Sequence, residues 1–313
     1  MQGLEIAGRF FAECGRPMLE AGFPALLPHL AAGLLGAGSE CFGYDDAVSR
    51  DHDFEPGFCL FLPGEDRIDR RTAFALERAY ARLPKEFMGL HRGGLAPVGG
   101  PRHGVFRTAD FFAAHLGAPD GVLDLDGWLR VPEHALAEAV NGAVFYDGPG
   151  ELTDIRARLA RYPEDVRRKK LAGELLLMGQ SGQYNYRRCL AHGETGAAQL
   201  AVCEFVRSAM HAVFLLNRRY QPYYKWSFRA MRELPLLAAE ADSLEFLLST
   251  DNSPENAEEK SYAMEDLAVR VIGVLQEQEL SRAVCGDLER HAYSVNDSIA
   301  DPGLRNLHVL SAV

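Results

Sequence analysis

The chain has 313 residues, 47 % of them hydrophobic and 25 % charged, with a formal net charge of −11. That length allows two domains, and that apolar content supports packed cores rather than disorder. The negative balance argues against general nucleic-acid binding, and no run of about eighteen apolar residues offers a membrane span. The first fifteen residues mix acids into an apolar pattern and lack a basic start, so a signal peptide is not expected and a cytoplasmic protein is.

Residues 4–19 carry Ile6, Phe10, Phe11 and Cys14 near helical spacing, with Pro17 as an interruption. Pro24 and Pro28 bracket a short helix or turn. The apolar run 30–35 predicts a strand, followed by a turn ending in Gly38-Ser39. Asp51-His52-Asp53 then lead into a second apolar run, 58–62, read as another strand. In an extended chain alternate side chains share a face, so Asp51 and Asp53 point one way and His52 the other. Two adjacent carboxylates repel each other, and a cation between them relieves the repulsion. Oxygen-only ligation by few carboxylates suits Mg²⁺ completed by phosphate oxygens. The Gly-Ser turn offers backbone N–H groups and a hydroxyl to a phosphate.

Pro63-Gly64 makes a turn, after which Asp66 can cap a helix to about residue 83. The glycine-rich stretch 88–100 reads as a loop, and 103–108 as a third strand. Thr108 can cap the next helix, which holds Phe111, Phe112 and Leu116. A helix opens at Pro132-Glu133, and 143–146 reads as a short strand. Asp147-Gly148-Pro149-Gly150 is the strongest turn signal and marks the expected boundary between domains at 1–150 and 151–313. Beyond it the chain reads as helical, with a polar interval at 179–188 and a long apolar stripe through Val202, Phe205, Val206, Ala209, Met210 and Val213. Residues 250–259 read as an acidic mobile loop, and two helices, 263–279 and 281–295, precede a tail. The expected fold class is α+β: an N-terminal domain with a small mixed sheet, then an all-α bundle.

The six cysteines form no CxxC pair and accompany no histidine cluster, which disfavours zinc; most read as buried thiols. Charge is unevenly spread. Residues 156–232 hold fifteen Lys and Arg against five Asp and Glu, so the remainder carries −21. A basic half facing an acidic metal-binding half suits a Mg²⁺-nucleoside triphosphate; solvated helix faces are the plainer reading of the same residues. No GxxxxGK[ST] or GxSxG occurs, which disfavours a P-loop kinase and a serine hydrolase.

Gly38-Ser39, Gly43 and Asp51-x-Asp53, at this spacing between two strand-like runs, resemble the nucleotidyltransferase superfamily that includes DNA polymerase beta and the aminoglycoside adenylyltransferases. The wider run 38–53, with the segments 162–166, 180–189 and 217–229, is similar to a bacterial family catalogued as a domain of unknown function with a nucleotidyltransferase-like domain. The resemblance implies that Asp51 and Asp53 are the catalytic, metal-binding pair for Mg²⁺ or Mn²⁺. It implies that Gly38 and Ser39 cradle the triphosphate of ATP or another nucleoside triphosphate. A helical second domain in that superfamily supplies cations, for which Arg187, Arg188 and Lys225 are the candidates, with Tyr184, Tyr224 or Trp226 available to stack on a ring. The implied reaction moves a nucleoside monophosphate to an acceptor hydroxyl that the sequence does not identify. Two departures stand out. His52 occupies a position usually held by an aliphatic residue, and the third strand, His103 to Arg107, has no carboxylate. Glu86, Asp110, Asp124 and Asp126 are the nearby alternatives, with Glu40 beside the turn. The missing acid motivates a second expectation: an inactive nucleotide-binding regulator or partner-binding protein of the same fold, whose helical half also allows a homodimer.

Overall fold

The computed structural model describes residues 2–46, 55–92 and 102–313. The chain divides into two compact units, one formed by residues 1–127 and 131–160, the other by 128–130 and 161–313. The first is α+β and the second all-α, with no strand after Asp147.

The first unit opens with α1 (Gly3–Phe10), a π-helical turn at Phe11–Gly15, and α2 (Arg16–Gly22), which has Pro17 in its first turn. Proline is tolerated there because the N–H it lacks has no helical partner. A 3₁₀ turn, Pro24–His29, leads into β1 (Ala31–Leu34). Next come α3 (Ser39–Phe42), β2 (Cys59–Leu62) and α4 (Arg70–Ala81). The helix expected from Asp66 starts instead behind Asp69, whose carboxylate accepts from the Thr72 N–H at 2.8 Å. Where a loop was expected, β3 (Glu86–Phe87) and β4 (Leu90–His91) form a two-residue ribbon; residues 93–100 lie outside those described. The third strand of the sheet is β5 (Gly104–Arg107), followed by α5 (Thr108–Leu116). Thr108 does not cap that helix; its hydroxyl donates to the Leu62 carbonyl. Then follow α6 (Leu125–Arg130), α7 (Glu133–Val140), β6 (Ala143–Asp147) and α8 (Glu151–Leu159).

The sheet order is β5-β2-β1-β6, with β2 and β5 parallel and the other pairs antiparallel. Because strand side chains alternate, Ala32, Leu60 and Leu62 meet Phe10, Phe11, Leu19, Leu76 and Tyr80 in one core. Phe61, on the opposite face, meets Phe111 of α5 edge-on at 5.3 Å. Tyr80 pins the entry to β2: its hydroxyl donates to the Phe58 carbonyl at 2.7 Å and accepts from the Phe58 N–H at 3.1 Å. The expected boundary turn closes on itself, with Asp147 accepting from the Gly150 N–H and from Thr153. Beyond that turn α8 still belongs to the first unit, where Arg156 donates to the Val140 and Asn141 carbonyls at the end of α7.

The second unit is built around α9 (Glu164–Met178). It runs on into a π-helical segment, Gly179–Asn185, and then α10 (Tyr186–Ala191). The polar interval seen in the sequence is therefore helix with wider, i→i+5 turns. Its Gly182 lets it close on α11 (Thr195–Leu216), since a Cβ there would lie 2.4 Å from the Phe205 ring. By length and composition α11 is apolar enough to cross a membrane, at mean hydropathy 1.3, but 61 % of that window is buried and it packs as a core helix against α9. The unit continues with α12 (Tyr224–Arg232), α13 (Glu240–Ser249), α14 (Pro254–Glu277), α15 (Leu288–Asp297) and α16 (Pro302–Asn306).

Two expectations fail here for physical reasons. Residues 250–259 are no loop: α14 starts at Pro254, and buried Lys260 ties the approach to it by donating to the Thr250 carbonyl and Asn252 Oδ1. The last long helix starts at Leu288, not 281, because residues 280–286 form a separate segment fastened by buried His291. The cysteines are also less buried than expected: only Cys41 and Cys59 are fully so, while Cys203 and Cys285 are exposed.

Buried cations in this unit all have acceptors, as burial of charge requires. Arg167, 1 % exposed, donates to both Glu164 oxygens at 3.1 and 2.7 Å and to the Leu215 carbonyl. Arg168 and Arg218 also donate to Glu164. Partial burial by itself would raise the Glu164 carboxyl, but the three guanidinium groups outweigh it and hold it at about 2, below its ordinary 4.5. Glu164→Gln should therefore destabilise the protein by on the order of 2 kcal/mol near neutrality, less than for a fully buried pair because Glu164 is 36 % exposed. A depressed native value means that the contribution is complete above about pH 4.5 and disappears as the pH falls through about 2. Denaturation of both proteins across that range checks this: the stability gap should close on acidification.

Candidate functional site

One edge of the sheet collects the polar groups of the first unit. β1 ends there, and β2, β5 and β6 all begin there, as their register requires: Gly33 faces Cys59, Cys59 faces Gly104, and Leu34 faces Ala143. The segments just outside these strand ends therefore converge.

From β1 the chain turns through Gly36 and Gly38, with φ of 101° and 123°, a region that glycine enters without strain. Asn141, between α7 and β6, clasps the turn by accepting from the Gly36 N–H at 2.9 Å and donating to the Gly36 carbonyl at 2.8 Å. Ser39 then opens α3. Gly38 and Ser39 are half-exposed, and the Ser39 hydroxyl has no hydrogen bond among the described residues. Nearby, Arg102 Nη1 lies 3.7 Å from where a Cβ on Gly38 would stand. Asp45 is a cap, accepting from the Gly3 N–H at the start of α1.

The next residue after Ser39, Glu40, turns inward. Its Oε1 lies 3.5 Å from His103 Nε2, and on the far side of the ring Nδ1 lies 3.7 Å from Glu55 Oε1. The side chains of His103, Glu40 and Glu55 are 7, 6 and 30 % exposed. These are ion-pair distances, too long for good hydrogen bonds, and Glu40 Oε1 is buried without a hydrogen-bond donor. Gly57 makes room for the ring, since a Cβ there would sit 2.4 Å from it. Burial by itself would lower the His103 pKa, but the two carboxylates outweigh it and hold it above 6.5. Two cysteines back this group, Cys41 and Cys59. Burial pushes the Cys59 thiol up to about 12, so neither it nor Cys41, also raised by burial, is a nucleophile near neutrality.

A second imidazole lies beside the turn. His115 Nδ1 is 2.9 Å from the Phe111 carbonyl. A carbonyl only accepts, so Nδ1 carries the proton and Nε2 is left with its lone pair free to accept. Nε2 lies 3.6 Å from Glu138 Oε2 and 3.7 Å from where a Cβ on Gly36 would stand.

Of the residues expected from sequence, Gly38 and Ser39 are at this edge, whereas Asp51, His52 and Asp53 lie outside the described residues. Arg187, Arg188 and Lys225 are exposed on helices of the second unit, Arg188 over the Tyr184 ring at 5.0 Å and Lys225 over Trp226 at 5.2 Å. The acids suggested by proximity in sequence have other places: Glu86 is in the β3–β4 ribbon, Asp110 and Asp126 are exposed, and Asp124 caps α6. Among the described residues, Glu40, Glu55 and Glu138 bring carboxylates to this edge. Glu40 could be suspected from its place beside Ser39; Glu55, His103, His115 and Glu138 had no local signal, because only strand register brings them together.

A family profile described as a domain of unknown function (DUF4037) matches residues 128–227. Comparison with curated proteins finds no match. Among solved structures the chain is similar to the crystal structure of a nucleotidyltransferase-like protein from Exiguobacterium sibiricum 255-15, at 11 % identity and a TM-score of 0.37 over 90 % of each chain.

His103→Gln would remove the imidazole that lies between Glu40 and Glu55. The expected loss is about 3 kcal/mol at pH 6, the low end for breaking a buried ion pair. Because the native value is raised, the histidine's contribution is complete below about pH 6.5 and is lost as the pH rises through the raised value. Denaturant titrations should thus show a large gap between the two proteins at pH 6 that narrows on going alkaline. A gap that widens instead would show that His103 is held neutral.

Proposed function

We propose that the sheet edge at Gly38-Ser39 binds a divalent-metal nucleoside triphosphate, ATP for preference, and that the protein transfers the nucleoside monophosphate to an acceptor hydroxyl. The observation that carries this reading is the local build. A left-handed glycine and a serine whose hydroxyl has no hydrogen bond among the described residues leave the central strand at an edge where acidic and imidazole side chains converge. It is supported by the spacing of Gly38-Ser39 and Asp51-x-Asp53, on which the likeness to nucleotidyltransferases rests.

On the spacing of Asp51-x-Asp53, that pair would hold the cation. The chemistry of the edge fits a hard ion: its acids are carboxylates, and Glu40 Oε1 is buried without a donor. When bound, such an ion screens the phosphate charge and polarises the reacting phosphorus centre. The chain's own groups do the rest. The Ser39 hydroxyl and the turn's N–H groups bind phosphate oxygens, and Arg102 adds a guanidinium suited to them. His115, its ring fixed by the Phe111 carbonyl, accepts the acceptor's proton at Nε2, and the Glu138 carboxylate stabilises the imidazolium formed.

A second reading, a nucleotide-binding regulator without transfer, is favoured by β5, whose residues Gly104 to Arg107 include no carboxylate. The two readings part on pyrophosphate. With Mg²⁺ and labelled ATP, the native protein should bind nucleotide, and on addition of the correct acceptor should release pyrophosphate. Asp51→Asn should abolish Mg²⁺-dependent binding while leaving the melting temperature unchanged. His115→Ala should retain binding and slow release by on the order of a hundredfold. Binding without release across hydroxyl acceptors would favour the regulator; absence of Mg²⁺-dependent binding would rule out both.

A further inference from the structure

The helical unit holds a cavity of about 1080 Å³ that the nucleotide-transfer reading does not use. Four arginines from four different elements line it: Arg168 on α9, Arg282 on the segment before α15, Arg290 on α15 and Arg305 on α16. Glu279 and Asp297 are its only acids, so the lining carries a net positive charge in a chain whose own charge is −11. Tyr293, 46 % exposed, stands on the same face of α15 as Arg290, Ser294 and Asp297, at helical spacing.

The wall bearing Arg282 is built, not loose. Fully buried His291 has Nδ1 2.8 Å from the Ser281 hydroxyl and Nε2 2.9 Å from the Cys285 carbonyl. Ser294 accepts from the Arg282 N–H at 2.8 Å. The arginines differ in how far they are spent. Arg168 is committed to Glu164 and the Ser298 carbonyl, and Arg305 donates to the Ile299 carbonyl. Arg290 has only a 3.7 Å contact with Asp287, and the Arg282 guanidinium has no partner among the described residues. Two under-used planar guanidinium groups on a braced wall, beside a hydroxyl and an exposed aromatic ring, match a phosphate joined to a planar ring.

We propose that this cavity is a binding site for a phosphorylated small molecule of nucleotide size, with Arg282 and Arg290 holding the phosphate and Tyr293 stacking on the ring. The volume is that of small-ligand cavities. It is independent of the metal-dependent site at Gly38-Ser39.

The test uses the full chain carrying Asp51→Asn and Asp53→Asn, in EDTA, titrated calorimetrically with 5′-AMP and with inorganic pyrophosphate. Both probes should bind saturably and more weakly as salt rises. Adding Arg282→Glu and Arg290→Glu should weaken both by on the order of tenfold or more with an unchanged circular-dichroism spectrum. Tyr293→Ala should weaken AMP and spare pyrophosphate. If the reversed variant misfolds, Arg282→Gln alone should still lower affinity severalfold. No saturable binding of either probe, or affinity indifferent to Arg282 and Arg290, overturns the proposal. So does tight binding of a single-stranded oligonucleotide that neither probe displaces. Because the transfer site is disabled by its two Asp→Asn changes, failure here leaves that reading untouched, and the reverse.

Discussion

The first unit depends on a buried imidazole held between two carboxylates. His103 stands at the start of β5, Glu40 in the first turn of α3, and Glu55 ahead of β2. Three segments separated in sequence thus meet through one imidazole at a sheet edge. Charges taken from water at this depth are tolerable only if they compensate one another. The trio therefore fixes which strand ends come together, and with them the orientation of the Gly38-Ser39 turn. The Tyr80 clasp on Phe58 and the Asn141 clasp on Gly36 act to the same end from either side, each satisfying both backbone groups of the residue it holds.

The helical unit solves a similar problem with cations. Arg167, Lys169 and Lys260 are buried, and each donates to carbonyl or side-chain oxygens from segments distant in sequence. Such groups add little net stability compared with apolar residues of the same size, but they tolerate few alternative packings. Much of the positive charge in residues 156–232 is spent in this way. Arg156, Arg167, Lys169 and Lys170 all donate to carbonyls, whereas Arg187, Arg188 and Lys225 are exposed, the last two over aromatic rings. The cavity beside α15 takes its arginines mainly from the C-terminal part of the chain, outside the region where sequence charge was concentrated.

Legibility in the sequence followed the range of the interactions. The strands at 31–34, 59–62 and 143–147 were visible as short apolar runs between turn residues, and the α11 stripe as helical periodicity. Asp66 and Asp69 are equally plausible caps by residue type, and only the Thr72 N–H decides between them. The approach to α14 looked like a loop because its polarity hides a lysine that folds back into the core. At the candidate site, Gly38-Ser39 and Glu40 were legible because they are adjacent in the chain. The pairing of β2 with β5 was not, as it joins residues some 45 apart, Cys59 to Gly104, and with it went His103 and Glu55. His115 and Glu138 sit on separate helices whose apolar residues advertise packing and not chemistry.

The central claim is that the edge at Gly38-Ser39 takes up a metal-bound triphosphate. A crystal structure of the protein with Mg²⁺ and a non-hydrolysable ATP analogue tests it most directly. The account predicts phosphate oxygens on the Ser39 hydroxyl and the N–H groups that follow Gly38, with the metal on Asp51 and Asp53. A triphosphate bound elsewhere, with Ser39 facing solvent and Asp51 and Asp53 away from any metal, would contradict it.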